Sequence, residues 1–281
     1  GDRVALFMQN CRQFVVAFYA VMRANAVVVP VNPMNRAEEF AHYIADPDTR
    51  VVICAADLAG FVATANAALP AERRLTAVLV TRYADALPDA AAEAIDAERE
   101  LPPTIEQWLR CASALPQGFA RWADALAAGL VPGPQLARPD DLALLPYTSG
   151  TTALPKGCMH THRTLMSNAA GGQWGWSGAE SVALAAVPMF HLTGLMYGVL
   201  GSVYAGSTQV VMPRWDRELA GRLISRYRVT HWTCIPTMII DLFASPNYRS
   251  FDLSSLVYLS GGGAAMPQAV AERLQQEYGL V

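Results

Sequence analysis

The chain has 281 residues, 53% of them hydrophobic and only 16% charged, with a formal net charge of −3. This core-rich composition excludes a disordered chain, and the small negative charge offers no surface for nucleic acid. The apolar runs are broken by Arg23, Asn32 or Pro188 and stay short of the roughly 18 residues that a membrane span needs. The five cysteines, Cys11, Cys54, Cys111, Cys158 and Cys234, are scattered and odd in number. They imply no disulfide framework, and a reducing, cytoplasmic setting fits them best. No signal-peptide pattern is present. Both ends look cut: Gly1 stands where Met would begin a gene product, and Tyr278-Gly279-Leu280-Val281 stops without a polar tail. The expectation is a fragment of a longer protein.

Strands and helices alternate over the first 80 residues or so. Residues 4–7 read as a strand. Residues 11–24 carry Phe14, Phe18 and Val21 or Met22 at helical spacing. Residues 26–31 are β-branched and end at the turn signal Asn32-Pro33. Residues 36–45 read as a helix with Glu38 and Glu39 in its first turn, where the dipole favours them. A strand over 51–54, a helix over 57–69 capped by Asp57, and a strand over 77–80 follow. Residues 82–139 are rich in Ala and Pro and read as a solvated connector, with helical pieces over 90–100 and 119–128. A buried strand over 142–145 comes next, then a turn and helix over 160–170. The alternation resumes with strands over 182–187, 208–211, 229–234 and 256–259. Helices over 192–204, 215–227, 236–244 and 267–278 intervene, with Pro236 and Pro267 placed in first turns. Alternation of this kind predicts an α/β fold of mostly parallel sheets flanked by helices. We expect two α/β subdomains, residues 1–175 and 176–281, the second incomplete.

The strand over 142–145 runs into Tyr147-Thr148-Ser149-Gly150-Thr151-Thr152-Ala153-Leu154-Pro155-Lys156-Gly157. Hydroxyls and loop N–H groups donate to phosphate oxygens, and a lysine adds a point charge. Gly150 lets the backbone turn. The string is not a Walker A loop, because Pro155 rather than glycine precedes Lys156 and Gly157 follows it. Taken as composition alone it is a polar surface turn; taken in order, with Pro-Lys-Gly at its end, it is a place to hold a triphosphate.

Other stretches carry chemistry less specifically. His191, in Val187-Pro188-Met189-Phe190-His191-Leu192-Thr193-Gly194, follows a strand end, where open parallel sheets bind ligands; it is otherwise a histidine at a helix start. Ser260-Gly261-Gly262-Gly263-Ala264-Ala265-Met266-Pro267 is a small-residue strand-to-helix turn, a tight turn or a seat for a flat ring. Trp232 is a core residue or a pocket wall. Cys158, His160 and His162 alternate but have no second cluster, so no metal site is assigned. Asp140-Asp141 reads as solvated. No Gly-x-Ser-x-Gly elbow exists, which argues against an α/β-hydrolase.

The loop string resembles the phosphate-loop signature of the adenylate-forming superfamily: acyl- and aryl-CoA synthetases, luciferases and peptide-synthetase adenylation domains. Ala153 departs from the glycine usual in that family. His191 matches the family's Pro-x-Phe-His-x-x-Gly segment beside the carboxylate pocket. Gly262, Gly263 and Ala264 match its Gly-Gly-Ala adenine turn, and Trp232-Thr233-Cys234-Ile235-Pro236-Thr237 looks like its acyl-pocket strand. Thr161-His162, Gly1-Asp2-Arg3-Val4-Ala5-Leu6 and Val29-Pro30-Val31-Asn32-Pro33 fall in family order, so the likeness covers nearly the whole chain. Leu195 stands where long-chain members often place a gating tryptophan.

The resemblance implies the large N-terminal domain of an enzyme that joins a carboxylic acid to ATP as acyl-AMP and then to CoA, with Mg2+ as cofactor. It assigns phosphate contacts to Thr148, Ser149, Gly150, Thr151, Thr152 and Lys156, and adenine contacts to Gly262, Gly263 and Ala264. It assigns the acid pocket to His191, Thr193 and Trp232, with Lys156 and His191 as catalytic candidates. Residues 11–46 look most like medium- or long-chain fatty acyl-CoA ligases, and the small Thr193, Gly194 and Gly198 suggest an open acyl channel. The family's Tyr-Gly-x-Thr-Glu segment, which helps hold magnesium, its ribose-binding aspartate and its C-terminal-domain lysine have no counterpart here. The fragment alone is therefore expected to be inactive. An aryl-CoA ligase and a non-catalytic nucleotide-binding homologue are the alternatives.

Overall fold

Strands β1 (Arg3–Phe7), β2 (Val27–Val31) and β3 (Thr49–Ala55) are apolar runs with little alternation, the pattern of strands covered on both faces. The computed structural model describes residues 1–86, 101–111, 113–148, 154–172 and 178–280. Helices α1 (Arg12–Arg23) and α2 (Ala37–Ala45) connect these strands. The first buries Phe14, Ala17, Phe18 and Val21, and the second buries Phe40, Tyr43 and Ile44. Phe40 stacks on Phe7 with ring centres 4.5 Å apart.

The chain continues through α3 (Ala59–Ala67), β4 (Ala77–Thr81), α4 (Pro103–Leu109), β5 (Ala120–Arg121) and α5 (Trp122–Ala127). It then forms β6 (Leu142–Leu144), β7 (His160–Thr161) and α6 (His162–Gly172). Among the described residues the sheet has seven strands in the order β5-β4-β3-β1-β2-β6-β7. All neighbours are parallel except β6 and β7. Pro30 sits in a central strand because its missing donor is not needed there. Alternate residues of a strand face the same neighbour, and Val28 faces β6, accepting from Leu145 N at 2.8 Å. Pro30 therefore faces the same side, past the point where the β2–β6 ladder ends.

Two expectations need correction. Asp57 does not cap the following helix, which starts after Leu58 without a side-chain cap. Its carboxylate instead accepts from Trp108 Nε1 at 2.9 Å, tying α4 to the β3–α3 turn. Residues 82–139 are also more than a solvated connector. Ile105, Leu109 and Trp122 are buried, and β5 extends the sheet. Of its expected helices, 119–128 is realised only as the short α5, and 90–100 lies outside the described residues.

A second compact unit, Met166–Val281, follows the first, Gly1–Leu165. Its strands are β8 (Val182–Ala185), β9 (Thr208–Val211), β10 (His231–Cys234) and β11 (Tyr258–Gly261). They pair in parallel in the order β11-β10-β8-β9. Helices α7 (Leu192–Leu195), α8 (Ser202–Ala205), α9 (Arg217–Tyr227), α10 (Pro236–Phe243) and α11 (Gln268–Tyr278) connect and follow the strands. The single helix expected over 192–204 is interrupted: Met196–Gly201 is π-helical. Ser202 Oγ donates to the Tyr197 carbonyl at 2.8 Å, and Gln209 Nε2 donates to the same oxygen at 3.3 Å. Both bonds converge on one carbonyl inside the π-helical stretch. Pro236 opens α10 at its first turn, whereas Pro267 precedes α11 as its cap.

Asn25 fastens the connector to the α1–β2 turn. It adopts φ 58°, and its side chain accepts from Leu136 N at 2.7 Å and Ala137 N at 2.9 Å while donating to Pro134 O at 3.0 Å. Asn25→Ala removes these bonds and leaves a Cβ in left-handed backbone, a loss of about 2–3 kcal/mol. Asn25→Gly, which removes the bonds but not the backbone fit, is expected to fall between. Denaturant midpoints that do not move in either variant would remove Asn25 as the anchor.

Candidate active site

The loop after β6 is closed at its neck by backbone pairing. Thr148 N donates to Lys156 O at 3.0 Å, and Cys158 N donates to Pro146 O at 2.8 Å. Tyr147 and Gly157 form an antiparallel bridge between them. Lys156 N reaches Thr148 Oγ1 at 3.3 Å, so both candidate phosphate ligands sit side by side at the loop mouth. Both are exposed. Ser149, Gly150, Thr151 and Thr152, with Ala153, lie outside the described residues. Lys156 is the single lysine of the chain; every other basic side chain that stays charged is an arginine.

Gly157 is a matter of space. A Cβ there would lie 3.2 Å from the Tyr147 ring, which packs over that position. The same ring meets Tyr43 at 4.7 Å between centres, tilted by 54°. The Tyr147 hydroxyl donates to Asp46 Oδ2 at 2.5 Å. Burial, and next the Asp46 hydrogen bond, hold the phenol well above its ordinary pKa, so it remains a donor throughout the working range. On the loop's other foot, His42 Nε2 lies 2.7 Å from the Pro155 carbonyl and must donate to it. His42 and Asp46 were not legible as site residues. Their signal was the i, i+4 spacing, which puts both on one face of a helix end.

In the second unit, the ends of β8, β10 and β11 lie side by side. His191 precedes α7, and its Nδ1 accepts from Thr193 N at 3.3 Å, a bond that selects the Nε2–H tautomer and leaves that group to donate. Two strands away, Gly262, Gly263 and Ala264 are exposed beyond β11. Gly263 has φ +82°, which reserves the position for glycine. Ala264 lines a groove of about 360 Å³ with Pro236, Leu259, Gly261 and Met266.

Thr193 lines a much smaller cavity with Gly194, Tyr197, Gln209 and Thr233, of about 10 Å³. Gly194, one of the small residues expected to open a channel, is used otherwise. A Cβ on Gly194 would stand 2.1 Å from the Pro188 carbonyl, and one on Gly198 would touch Ala185 and Met189 at 3.7 Å. Trp232 is 1% exposed and stacks on Trp215 at 5.8 Å, so its ring belongs to the core. Leu195 is likewise buried. Among the described residues no three His, Cys, Asp or Glu side chains are placed to hold a metal ion. Burial pushes the thiols of Cys11 and Cys234 up to about 12, so neither is a thiolate near neutral pH.

The profile of the AMP-binding enzyme family matches residues 1–281. The chain belongs to the AMP-binding enzymes. A long-chain-fatty-acid–CoA ligase of Bacillus subtilis (strain 168) is 30% identical, covering 99% of this chain and 49% of the relative. A 4-coumarate–CoA ligase 2 of Oryza sativa subsp. japonica is also 30% identical, over 98% of this chain and 46% of the relative. Among solved structures, the inhibitor-bound N-terminal domain of FACL13 from Mycobacterium tuberculosis superposes with a TM-score of 0.75. It is 28% identical and spans 100% of this chain and 61% of that one. The chain thus spans about half the length of the curated relatives it matches.

Trp232→Ala is expected to cost about 3–5 kcal/mol of stability, the usual effect of emptying a buried aromatic site. A variant as stable as wild type but altered in acid preference would place the ring in the pocket wall instead.

Proposed function

We propose that the full protein activates a carboxylic acid with ATP and passes the acyl group to CoA. A carboxylate oxygen attacks the α-phosphorus as the bond to the β-phosphate bridge breaks, giving acyl-AMP and pyrophosphate. The CoA thiol then displaces AMP as the thiol proton is lost to base. The observation that carries this reading is the neck of the loop, which sets Thr148 and Lys156 together beyond the end of β6 in an AMP-binding enzyme. Chemistry of this kind depends on positioning and on neutralising charge. Lys156 supplies the charge, and Thr148 a hydroxyl donor. Magnesium would enter with the nucleotide; the described residues supply no ligand cluster for it.

Gly262, Gly263 and Ala264 are the proposed seat for adenine, supported by the open turn and the groove beside it. His191 Nε2–H and Thr193 are the proposed border of the acid, with Trp232 as packing behind that wall. A medium- or long-chain fatty acid is the substrate class supported by the Bacillus relative. An aryl acid is the second reading, favoured by the equally similar 4-coumarate relative and by the small cavity, about 10 Å³, that Thr193 lines. A reducing, cytoplasmic setting is supported by five free cysteines, of which Cys111 is exposed.

The test is carboxylate-dependent ATP–pyrophosphate exchange by the full-length protein with acetate, octanoate, palmitate and benzoate side by side. Exchange with octanoate or palmitate is expected. Exchange with benzoate alone moves the assignment to aryl acids, and none with any acid in a folded sample points to a non-catalytic nucleotide binder. Lys156→Ala is expected to slow exchange by about 100-fold, the scale of losing one preorganised charge contact. An unchanged rate would take Lys156 out of the site.

A further inference from the structure

The phosphate loop is fastened from outside at both feet by one helix. Asp46, at the C-terminal cap of α2, accepts the hydroxyl of Tyr147, the residue before Thr148. His42, one turn earlier, donates to the carbonyl of Pro155, the residue before Lys156. The Tyr147 ring also lies edge-on to His42 at 5.6 Å, so the three side chains form one packed cluster with Tyr43.

We propose that His42 and Asp46 are positioning residues for ATP: they hold the two feet of the loop so that Thr148 and Lys156 stay at its mouth. This rests on the reading of the loop as the nucleotide site. Asp46 does not serve its own helix. A carboxylate at a helix C-terminus is disfavoured by the dipole, so Asp46 is in the wrong place for helix stability alone. The Tyr147 hydroxyl is the partner that offsets it. His42 is half-buried, and the Pro155 carbonyl it bonds precedes the chain's single lysine. The neck bonds between Thr148 and Lys156 close the loop on itself but leave it free to tilt as a unit. Two bonds to a rigid helix, one on each side of the neck, remove that freedom. Binding then no longer has to order the loop, which is the general route by which preorganisation raises affinity.

The experiment uses the full-length protein and the variants His42→Ala, His42→Gln, Asp46→Ala and Tyr147→Phe. Hydrogen exchange over residues 146–158 is followed without nucleotide, and MgATP affinity is measured by equilibrium binding. Faster exchange confined to 146–158 is expected in His42→Ala, Asp46→Ala and Tyr147→Phe. Their Kd for MgATP should rise about tenfold, as for loss of one ordinary hydrogen bond, with the KM for the acid unchanged. His42→Gln keeps a donor and should restore both readouts. Exchange over 146–158 that matches wild type in the alanine and phenylalanine variants overturns the proposal. So does faster exchange spread evenly over the chain, which would report loosening of the fold, or an equal rise in KM for ATP and acid. Wild-type protein that fails to bind MgATP would defeat the nucleotide reading itself, while the exchange data still decide whether His42 and Asp46 hold the loop.

Discussion

The candidate site depends on Tyr147 lying across position 157. The ring fills the space a Cβ would take and turns its hydroxyl to Asp46. A backbone bridge forms directly beneath it, so the loop between has fixed ends. The strand that delivers this loop, β6, is only Leu142–Leu144 and touches β2 in register at a single pair, Val28 with Leu144. So short a strand is a weak platform by itself. The loop is stiffened by what it packs on, namely helix α2, and α2 is in turn pinned by Phe40 and Ile44 in the core. Rigid support reaches the loop through side chains rather than through the sheet.

The same economy of small residues recurs in the second unit with a different result. At Gly194 the missing Cβ lets the start of a helix close onto the Pro188 carbonyl. That contact turns the chain sharply after β8 and leaves His191 at the helix start with its Nδ1 on the Thr193 amide. A residue type that looked like room for a long acyl chain is therefore consumed by backbone packing. The cavity that Thr193 does line, about 10 Å³, holds no more than a water molecule.

Most of the strands were legible because buried parallel strands are runs of β-branched and apolar residues; residues 26–31 read as a strand and fold as Val27–Val31, buried throughout. The string from Tyr147 to Gly157 stands out in the sequence as an ordered motif, and the proposed phosphate site rests on it. What could not be read were partners supplied from far along the chain. Asp57 looks like a cap because it precedes a helix, yet Trp108, 51 residues later, claims its carboxylate. His42 and Asp46 look like ordinary helix-end residues, and their partners lie 113 and 101 residues away. The π-helical turn at Met196–Gly201 escaped for the same reason: one of the two donors to the Tyr197 carbonyl is Gln209, on the next strand.

Strand β10 shows why a motif alone does not say which of its residues meets the substrate. Trp232 and Thr233 are adjacent, so the period of two sends them to opposite faces. Either assignment satisfies the sequence, and a one-residue slip would exchange them. The register with β11 decides it. Pairing Thr233 with Ser260 lets their hydroxyls meet at 2.9 Å, on the face that lines the cavity with Thr193. Trp232 is then committed to the other face, where Trp215 stacks on it while donating its own Nε1 to Asp241. The large aromatic residue fixes the register, and the small hydroxyl beside it is what that register presents to the site. In the proposed acid pocket, Thr233 and Thr193 are therefore more open to change than the tryptophan that draws attention first.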